Sequence, residues 1–231
     1  PMNGAAHRPP GLAIGTAMLC AGVVTAQFIA GKAARDALYL SNLDVTSLPL
    51  MVVGTAAFSL VAVAVSSRAL RRAAPARLVP WWFLTSAVFF LVEWMLVSKA
   101  PRFSAPLVYL HVSGVGPLLG SGFWLLVSER FDPHTAKLRV GQIAGIGTLG
   151  GLMGGLLAER VAVLFGAVAM LPVLAGLSLV CAWLIRVLAG SADVAQSTHP
   201  GDASPDIAAE APQSGLRVLA RAPYLRSLAA L

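Results

Sequence analysis

Charged residues are scarce in this sequence, and their scarcity excludes most soluble folds. Only 12% of the 231 residues are Asp, Glu, Lys or Arg, whereas soluble domains carry roughly 25%. Hydrophobic residues make up 57% of the chain, and the mean hydropathy is +0.77. So few polar side chains cannot cover the surface of a water-soluble globule, and the composition therefore predicts an integral membrane protein.

Cysteine is also rare, and Cys20 and Cys181 are the only two. Both lie within apolar segments, and two cysteines without metal-ligand spacing predict neither a disulfide framework nor a metal site. We expect them to behave as small buried apolar residues. No group of His, Asp, Glu or Ser gathers at one membrane depth, so we expect neither an enzyme nor a bound cofactor.

The net charge of +7 does not indicate a nucleic-acid partner. The basic residues form short clusters between apolar segments, whereas nucleic-acid binding requires a continuous basic patch or stripe. Clusters of this kind are typical of the ends of transmembrane helices, where they set topology and contact anionic lipids. The sequence therefore predicts the lipid bilayer as a partner.

Six apolar segments are near or above the length of a transmembrane helix. A helix needs about 20 apolar residues to cross a hydrocarbon core of roughly 30 Å. The segments are Leu12–Ala30, Leu48–Val65, Leu78–Val97, Leu107–Val127, Val140–Leu157 and Val161–Leu188. The sequence therefore predicts an all-α, polytopic bundle of six transmembrane helices.

Lys and Arg residues are distributed unequally between the two predicted sides of the membrane. Twelve of the 17 fall on the side of the N-terminus and five on the other. The richer side faces the cytoplasm by the positive-inside rule. We therefore predict a multi-pass protein of the inner (plasma) membrane with a cytoplasmic N-terminus.

The composition changes after Leu188, and this change predicts where the bundle ends. Residues 189–215 are rich in Ala, Ser, Asp, Pro and Gly, which is typical of a flexible cytoplasmic linker. Residues 216–231 become basic and apolar again, like the approach to a seventh helix. Because the chain also begins at Pro1, we interpret it as a fragment in which a six-helix bundle (1–188) precedes the start of a second half. Two-half transporters pair two such bundles around their substrate, so a C-terminal six-helix half is a predicted partner.

Three charged residues at the outer end of the first helix form the first candidate site. Lys32 and Asp36 are four residues apart, and Arg35 lies one turn from Lys32, so the three share one region of the helix surface. Long cationic side chains at the bilayer edge often extend to water as anchors. The alternative is a binding site for a small anionic solute, because Arg and Lys are the natural partners of phosphate and carboxylate.

Glu93 is the second candidate, since it lies inside the third apolar segment. A carboxylate there must be paired, protonated or facing water. The sequence leaves open a role in binding substrate or a proton and a role in a structural ion pair. Lys32 and Arg35 have the same predicted depth, and we predict that they are its partners.

Gln27 and His111 are uncharged polar candidates within the first and fourth helices. Each is either a hydrogen-bonding group between helices or a substrate ligand. Pro117 lies six residues after His111 among several glycines, and it predicts a bend in the fourth helix.

Glycines are concentrated in the fifth apolar segment. Residues 145–150 match G-x-G-x-x-G, but a dinucleotide site also requires a preceding strand and an acidic residue about 20 positions later. The surroundings here are membrane segments, and no acidic residue occurs between Arg160 and Gly190. Repeated G-x-x-x-G steps instead predict close helix packing, through Gly141, Gly145, Gly147, Gly150, Gly151, Gly154 and Gly155.

Two short motifs predict where helices begin. Asp44 to Pro49 (DVTSLP) predicts the cap of the second transmembrane helix, because Asp is a preferred N-cap residue. Asp132 followed by Pro133 predicts the start of the fifth, because proline fits the first turn of a helix.

Two stretches carry a resemblance to a known family. RDALYLSNLDVTSLP (35–49) and FWLLVSERFDPHTAKLRVGQIAGIGTLGGLMGG (123–155) resemble bacterial relatives of the ATP/ADP antiporter (nucleotide transporter) family, a branch of the major facilitator superfamily. The resemblance implies half of a twelve-helix fold, alternating access and nucleotide exchange, with Lys32 and Arg35 at the positions of its basic binding residues. The loop 66–77 lacks the Asp-Arg core of the superfamily loop motif, which puts the superfamily's standard gating in doubt.

The sequence thus favours the N-terminal half of a secondary transporter with an anionic cargo, for which a nucleotide is a candidate. A non-transporting membrane anchor or sensor, coupled to soluble domains downstream, is the alternative from another functional class.

Overall fold

The structure is a computed structural model that describes residues 10–130 and 133–196, with side chains described for 14–129 and 139–190. Every regular element in these ranges is helical, which confirms the predicted all-α bundle. Six helices are long and apolar enough to cross a membrane: Ile14–Asn42, Val45–Leu70, Pro75–Val97, Pro101–Glu129, Arg139–Phe165 and Ala167–Gly190. The chain is therefore a multi-pass membrane protein.

Seven α-helical segments make up these six spans. They are α1 (Pro10–Asn42), α2 (Leu48–Leu70), α3 (Pro75–Val97), α4 (Pro101–Leu110), α5 (Gly116–Arg130), α6 (Pro133–Phe165) and α7 (Met170–Gln196). A π-helical turn, His111–Val115, joins α4 and α5 into one span. We call the membrane face at which α1 begins the N-terminal side, and the other face the opposite side.

The break between the last two helices was predicted wrongly. The charged residues Glu159 and Arg160 suggested a loop after Leu157, but α6 continues through them to Phe165. The helix ends at Gly166, which has a φ of 83°, a left-handed conformation that glycine adopts without steric cost. Charged side chains near the membrane edge reach water from within a helix, so they did not require a loop.

Helix α7 extends to Gln196, so residues 189–196 of the predicted linker are helical. The rest of the predicted linker and the predicted start of a second half, 197–231, lie outside the described residues.

Helix neighbours follow a repeated pattern. Helix α1 packs along α6, and α2 packs on the π-helical turn and α4. Helix α1 also contacts α7, and α3 contacts both α4 and α5. The first three spans correspond in order to the last three: α1 to the α4–α5 span, α2 to α6, and α3 to α7. When each helix is replaced by its counterpart, every contact named above becomes another contact that the structure contains. The exchange leaves two contacts unchanged: the contact of α3 with α7 and the contact of α1 with the α4–α5 span. The two three-helix halves therefore occupy equivalent places in the bundle.

The buried apolar residues form two cores at different membrane depths. The core on the N-terminal side includes Cys20, Phe83 and Phe123, and the core on the opposite side includes Leu38, Phe90 and Leu171. Between them lie four buried polar residues, one from each of four spans: Gln27, Ser86, His111 and Ser178. We call these four residues the polar layer.

Helix α2 lies at the edge of the bundle. It contributes no buried residue, and most of its surface is apolar, with Leu50 and Leu60 largely exposed. An apolar surface of this extent suits contact with lipid tails.

Candidate functional site

Glu93 and His111 form a buried pair between α3 and the π-helical turn. The imidazole Nδ1 lies 3.0 Å and 3.1 Å from the two carboxylate oxygens. On the other side of the ring, Nε2 lies 3.0 Å from the hydroxyl oxygen of Ser86. A carboxylate only accepts hydrogen bonds when ionised, so this arrangement favours a proton on Nδ1 and a hydroxyl proton donated by Ser86 to Nε2.

The predicted pairing of Glu93 with Lys32 or Arg35 is wrong. Among the described side chains, no Lys or Arg nitrogen lies within 4.0 Å of Glu93, and His111 is its partner. Lys32 and Arg35 instead contact residues of α1 and of the α4–α5 span. Equal depth in the membrane did not place these side chains on facing helix surfaces.

The surroundings of the Glu93–His111 pair are apolar. Glu93 is 6% exposed and His111 is 7% exposed. The rings of Phe89 and Phe90 lie 5.6 Å and 4.4 Å from the His111 ring centroid. Charge is costly in such surroundings unless it is paired, so the protonation of the two side chains is interdependent.

Gln27 makes an equivalent link on the other side of the bundle. Its amide nitrogen donates to the hydroxyl of Ser178 at 2.6 Å, and its carbonyl oxygen lies 3.5 Å from the Cys181 sulfur. The hydrogen bond of Gln27 to Ser178 joins α1 to α7, and that of His111 to Ser86 joins the π-helical turn to α3. The exchange of spans described above converts the first of these links into the second. The two links differ in chemistry, because only the second contains a histidine and a neighbouring carboxylate.

Arg35 is held between α1 and the α4–α5 span. Its guanidinium donates to Asp36 at 2.9 Å and to the hydroxyl of Ser113. It also lies over the ring of Tyr109, with 4.6 Å between the guanidinium carbon and the ring centroid. The structure therefore brings the predicted residues Arg35 and Asp36 together as an ion pair, close to the π-helical turn.

Lys32 has an aromatic neighbour rather than an acidic one. Its amine lies 4.3 Å from the centroid of the Phe28 ring, a distance at which cations and aromatic faces attract. Among the described side chains, no carboxylate lies within 4.0 Å of Lys32. Together with the Arg35–Asp36 pair, this leaves the end of α1 with a net charge of +1.

The π-helical turn connects these features, and the sequence did not predict it. Its residues contact different helices in succession. His111 bonds to Ser86 on α3, Val112 packs on α1 at Gly31, and Gly114 faces Phe58 on α2. Ser113 accepts the hydrogen bond from Arg35. The available signal was Pro117, which cannot donate to the carbonyl four residues earlier and so favours an irregular turn at this point; π-helical turns are frequent at functional sites.

A small cavity lies beside the polar layer. Its polar lining consists of Gln27, Ser86 and His111, and its apolar lining includes Phe28 and Phe83. The volume open to the centre of a water molecule is about 20 Å³, which is room for water and far too little for an organic solute. Glu93 is not part of the lining, so His111 separates it from the cavity.

Five of the seven glycines of the predicted packing surface lie against α1. A Cβ atom at Gly150 would be 2.6 Å from the carbonyl carbon of Gly22, and one at Gly154 would be 2.6 Å from the Cα of Ala26. Gly147, Gly151 and Gly155 face side chains of α1 at 3.3 to 3.9 Å. For Gly141 and Gly145, no described atom lies within 4 Å of the Cβ position, so these two take no part in the contact.

The two predicted helix starts have different outcomes. Asp44 caps a short 3₁₀ turn, Val45–Ser47, that leads directly into α2, and its carboxylate accepts the backbone N–H of Thr46 at 3.1 Å. Hydrogen bonds from the backbone and then the side chain of Thr46 lower the pKa of Asp44 from its ordinary value of 3.8. Helix α6 begins at Pro133, as predicted, whereas Asp132 lies outside the described residues.

The fold and the site define the class of the protein as a multi-pass α-helical membrane protein with a buried polar layer and a buried Glu–His pair. Comparisons with protein-family models, curated proteins and solved structures find no match.

Proposed function

We propose that this chain is one six-helix half of a secondary transporter that works by alternating access, with a small anionic solute as cargo. A second six-helix bundle is the partner against which it would rock. We assign the N-terminal side to the cytoplasm, because the sequence pattern puts 12 of the 17 Lys and Arg residues on that side. The proposed membrane is the inner (plasma) membrane.

The exchange pattern of helix contacts is the observation that carries the proposal. Helices α1 to α3 and α4 to α7 each contain three spans, so the two triplets cross the membrane in opposite directions. Inverted repeats of three spans within each six-helix half are typical of major-facilitator transporters. The equivalent placement of the Gln27–Ser178 and His111–Ser86 links extends this pattern from the helices to their side chains.

The charge at the end of α1 supports an anionic cargo. Lys32 has no acidic neighbour among the described side chains, and Arg35 has Asp36 as its single ion-pair partner there. A net charge of +1 beside a polar turn attracts a phosphate or carboxylate group. The resemblance of residues 35–49 and 123–155 to the ATP/ADP antiporter family makes a nucleotide the first cargo to test.

Uptake of radiolabelled ATP, ADP and inorganic phosphate by proteoliposomes with the full-length protein tests this proposal. We expect saturable uptake that falls strongly in Lys32→Ala and Arg35→Ala. Lys99→Ala, which removes a cation beyond the end of α3, is the matched control and is expected to leave uptake unchanged. Uptake no faster than in protein-free liposomes for all three probes would contradict an anion-transport function and favour the membrane anchor.

A further inference from the structure

We propose that the Glu93–His111 pair is a proton-binding site that couples the transporter to the proton gradient. The inference rests on the proposed function for its physiological role, but the binding of the proton can be tested separately. The ligand is a single proton per chain, and it reaches the pair from the side of the cavity.

The geometry gives the proton a route in. His111 lines the cavity with Gln27 and Ser86, whereas Glu93 lies behind the imidazole ring. Ser86 also lines the cavity, and its hydroxyl is bonded to Nε2. The hydroxyl can pass its proton to Nε2 and take another from a protonated cavity water, while Nδ1 releases its proton to a Glu93 oxygen. The balance is one proton gained by the pair and one lost by the hydronium ion, which is left as water. Release runs through the same bonds in reverse.

The proton changes the net charge of the pair from −1 to 0. With an ionised Glu93 and a neutral His111 the pair carries one negative charge, which is costly because both side chains are buried. One proton removes this charge. A second would leave a net positive charge in the same apolar surroundings, so the pair binds one proton and not two.

No charged group on a neighbouring helix neutralises the pair in place of the proton, among the side chains that the structure describes. The titratable or charged residues on the neighbouring helices include Lys32, Arg35 and Asp36 on α1, Tyr109 on α4 and Cys181 on α7. In the described part of the chain, none of them forms an ion pair with Glu93 or His111. The charged residues of α2, α4 and α5 lie near the ends of those helices, and Arg186 of α7 contacts Trp81.

Charge balance links the proton to the anionic cargo. With an ionised Glu93, the charges of the pair and of Lys32, Arg35 and Asp36 sum to zero, although no ion pair joins the two groups among the described side chains. When the pair takes up a proton, the sum becomes +1, which favours the binding of an anion. The π-helical turn joins the two sites, because His111 belongs to the pair and Ser113 contacts Arg35. Proton and anion therefore bind together, which is the requirement for symport.

Proton movement during transport is the first test. Full-length protein is reconstituted in liposomes that contain a pH-sensitive dye, and an inward gradient of ATP, ADP or phosphate is applied. We expect acidification of the interior with the wild-type protein. Glu93→Gln is expected to abolish acidification, and Glu159→Gln, which removes an exposed carboxylate on α6, is expected to retain it. Cargo uptake without acidification in the wild type would overturn proton coupling and leave the transport function intact.

Direct titration of His111 tests the site even if none of these anions is the cargo. Protein labelled with ¹⁵N-histidine is placed in lipid nanodiscs, and the His111 signals are assigned as those missing from His111→Gln. We expect the His111 signals to move with pH in a single-proton step that Glu93→Gln displaces and Glu159→Gln does not. Signals that do not move with pH, or an unchanged midpoint in Glu93→Gln, would overturn the proton site.

Discussion

At the residue scale, the defining feature is a carboxylate whose partner is a histidine rather than a permanent cation. An Arg or Lys partner would fix the charge of Glu93 at every physiological pH. A histidine can accept and pass on a proton through its two ring nitrogens, so it allows the charge of the pair to change with proton supply.

Removing one member of this pair is expected to cost more than replacing both. His111→Ala leaves Glu93 buried without its partner, and breaking a buried pair in this way costs about 3–5 kcal/mol. The double variant Glu93→Gln/His111→Asn contains no charge and is expected to recover most of that loss. Thermal unfolding of the detergent-solubilised variants measures both. Equal losses in the single and double variants would show that the pair contributes through its shape alone.

Asp44 gives a residue-scale prediction outside the membrane spans. Its pKa in the folded protein lies below the ordinary value of 3.8 because the ionised carboxylate accepts hydrogen bonds from Thr46. The stabilisation by the cap is therefore fully present above the unfolded-state pKa and is lost as the pH falls through the lower, folded-state pKa. Carboxyl NMR titration is expected to give a midpoint below 3.8 for wild type.

The matched substitutions at this position are Asp44→Asn and Asp44→Ala. Asn is as good an N-cap residue as Asp, so Asp44→Asn is expected to keep the stability of the wild type without its acid dependence. Asp44→Ala is expected to lower the unfolding temperature at neutral pH. A wild-type unfolding temperature in Asp44→Ala would show that the cap contributes nothing measurable.

At the element scale, α1 and α6 pack closely through the glycines of α6. Gly150 and Gly154 of α6 leave no room for a side chain against Gly22 and Ala26. Small residues at such a spacing let two helix backbones approach closely in a membrane. The contact depends on individual glycines, not on the glycine content of α6 as a whole.

Gly150→Ala tests this contact. Its methyl group would overlap the backbone of Gly22, and overpacking of this kind costs about 1–3 kcal/mol. Gly145→Ala is the control within the same helix, because no described atom lies near its Cβ position and Ala is a better helix former than Gly. Thermal unfolding is expected to separate the two variants. The same loss of stability in both would assign the effect to the helix itself and not to its packing.

The elements also show how far the sequence alone could lead. Hydropathy predicted all six spans, because membrane insertion depends on local composition. It misplaced the turn at Gly166, because charged residues within α6 resemble a loop when only hydropathy is considered. The partner of Glu93 could not be predicted either, since it depends on which helix faces α3. The π-helical turn depends on Pro117 and on the contacts that the turn makes with three other helices. The sequence shows Pro117 but not those contacts.

At the scale of the whole molecule, the proposed orientation has a direct test. Cys20 and Cys181 are fully buried, so newly introduced cysteines can be labelled against a low background. Ser41 near the end of α1 and Ser67 near the end of α2 are exposed and lie on opposite membrane sides. In intact cells without an outer membrane, a membrane-impermeant maleimide is expected to label Ser41→Cys and not Ser67→Cys. The reverse pattern would invert the topology, and permeabilised cells provide the control in which both are labelled.

The tight interior of the bundle determines where a solute can travel. The cavity beside the polar layer has room for water and not for an organic solute, so it offers a solute no passage between the described helices that line it. On the proposed function, the cargo therefore passes along the flank of this bundle, where a second six-helix half faces it.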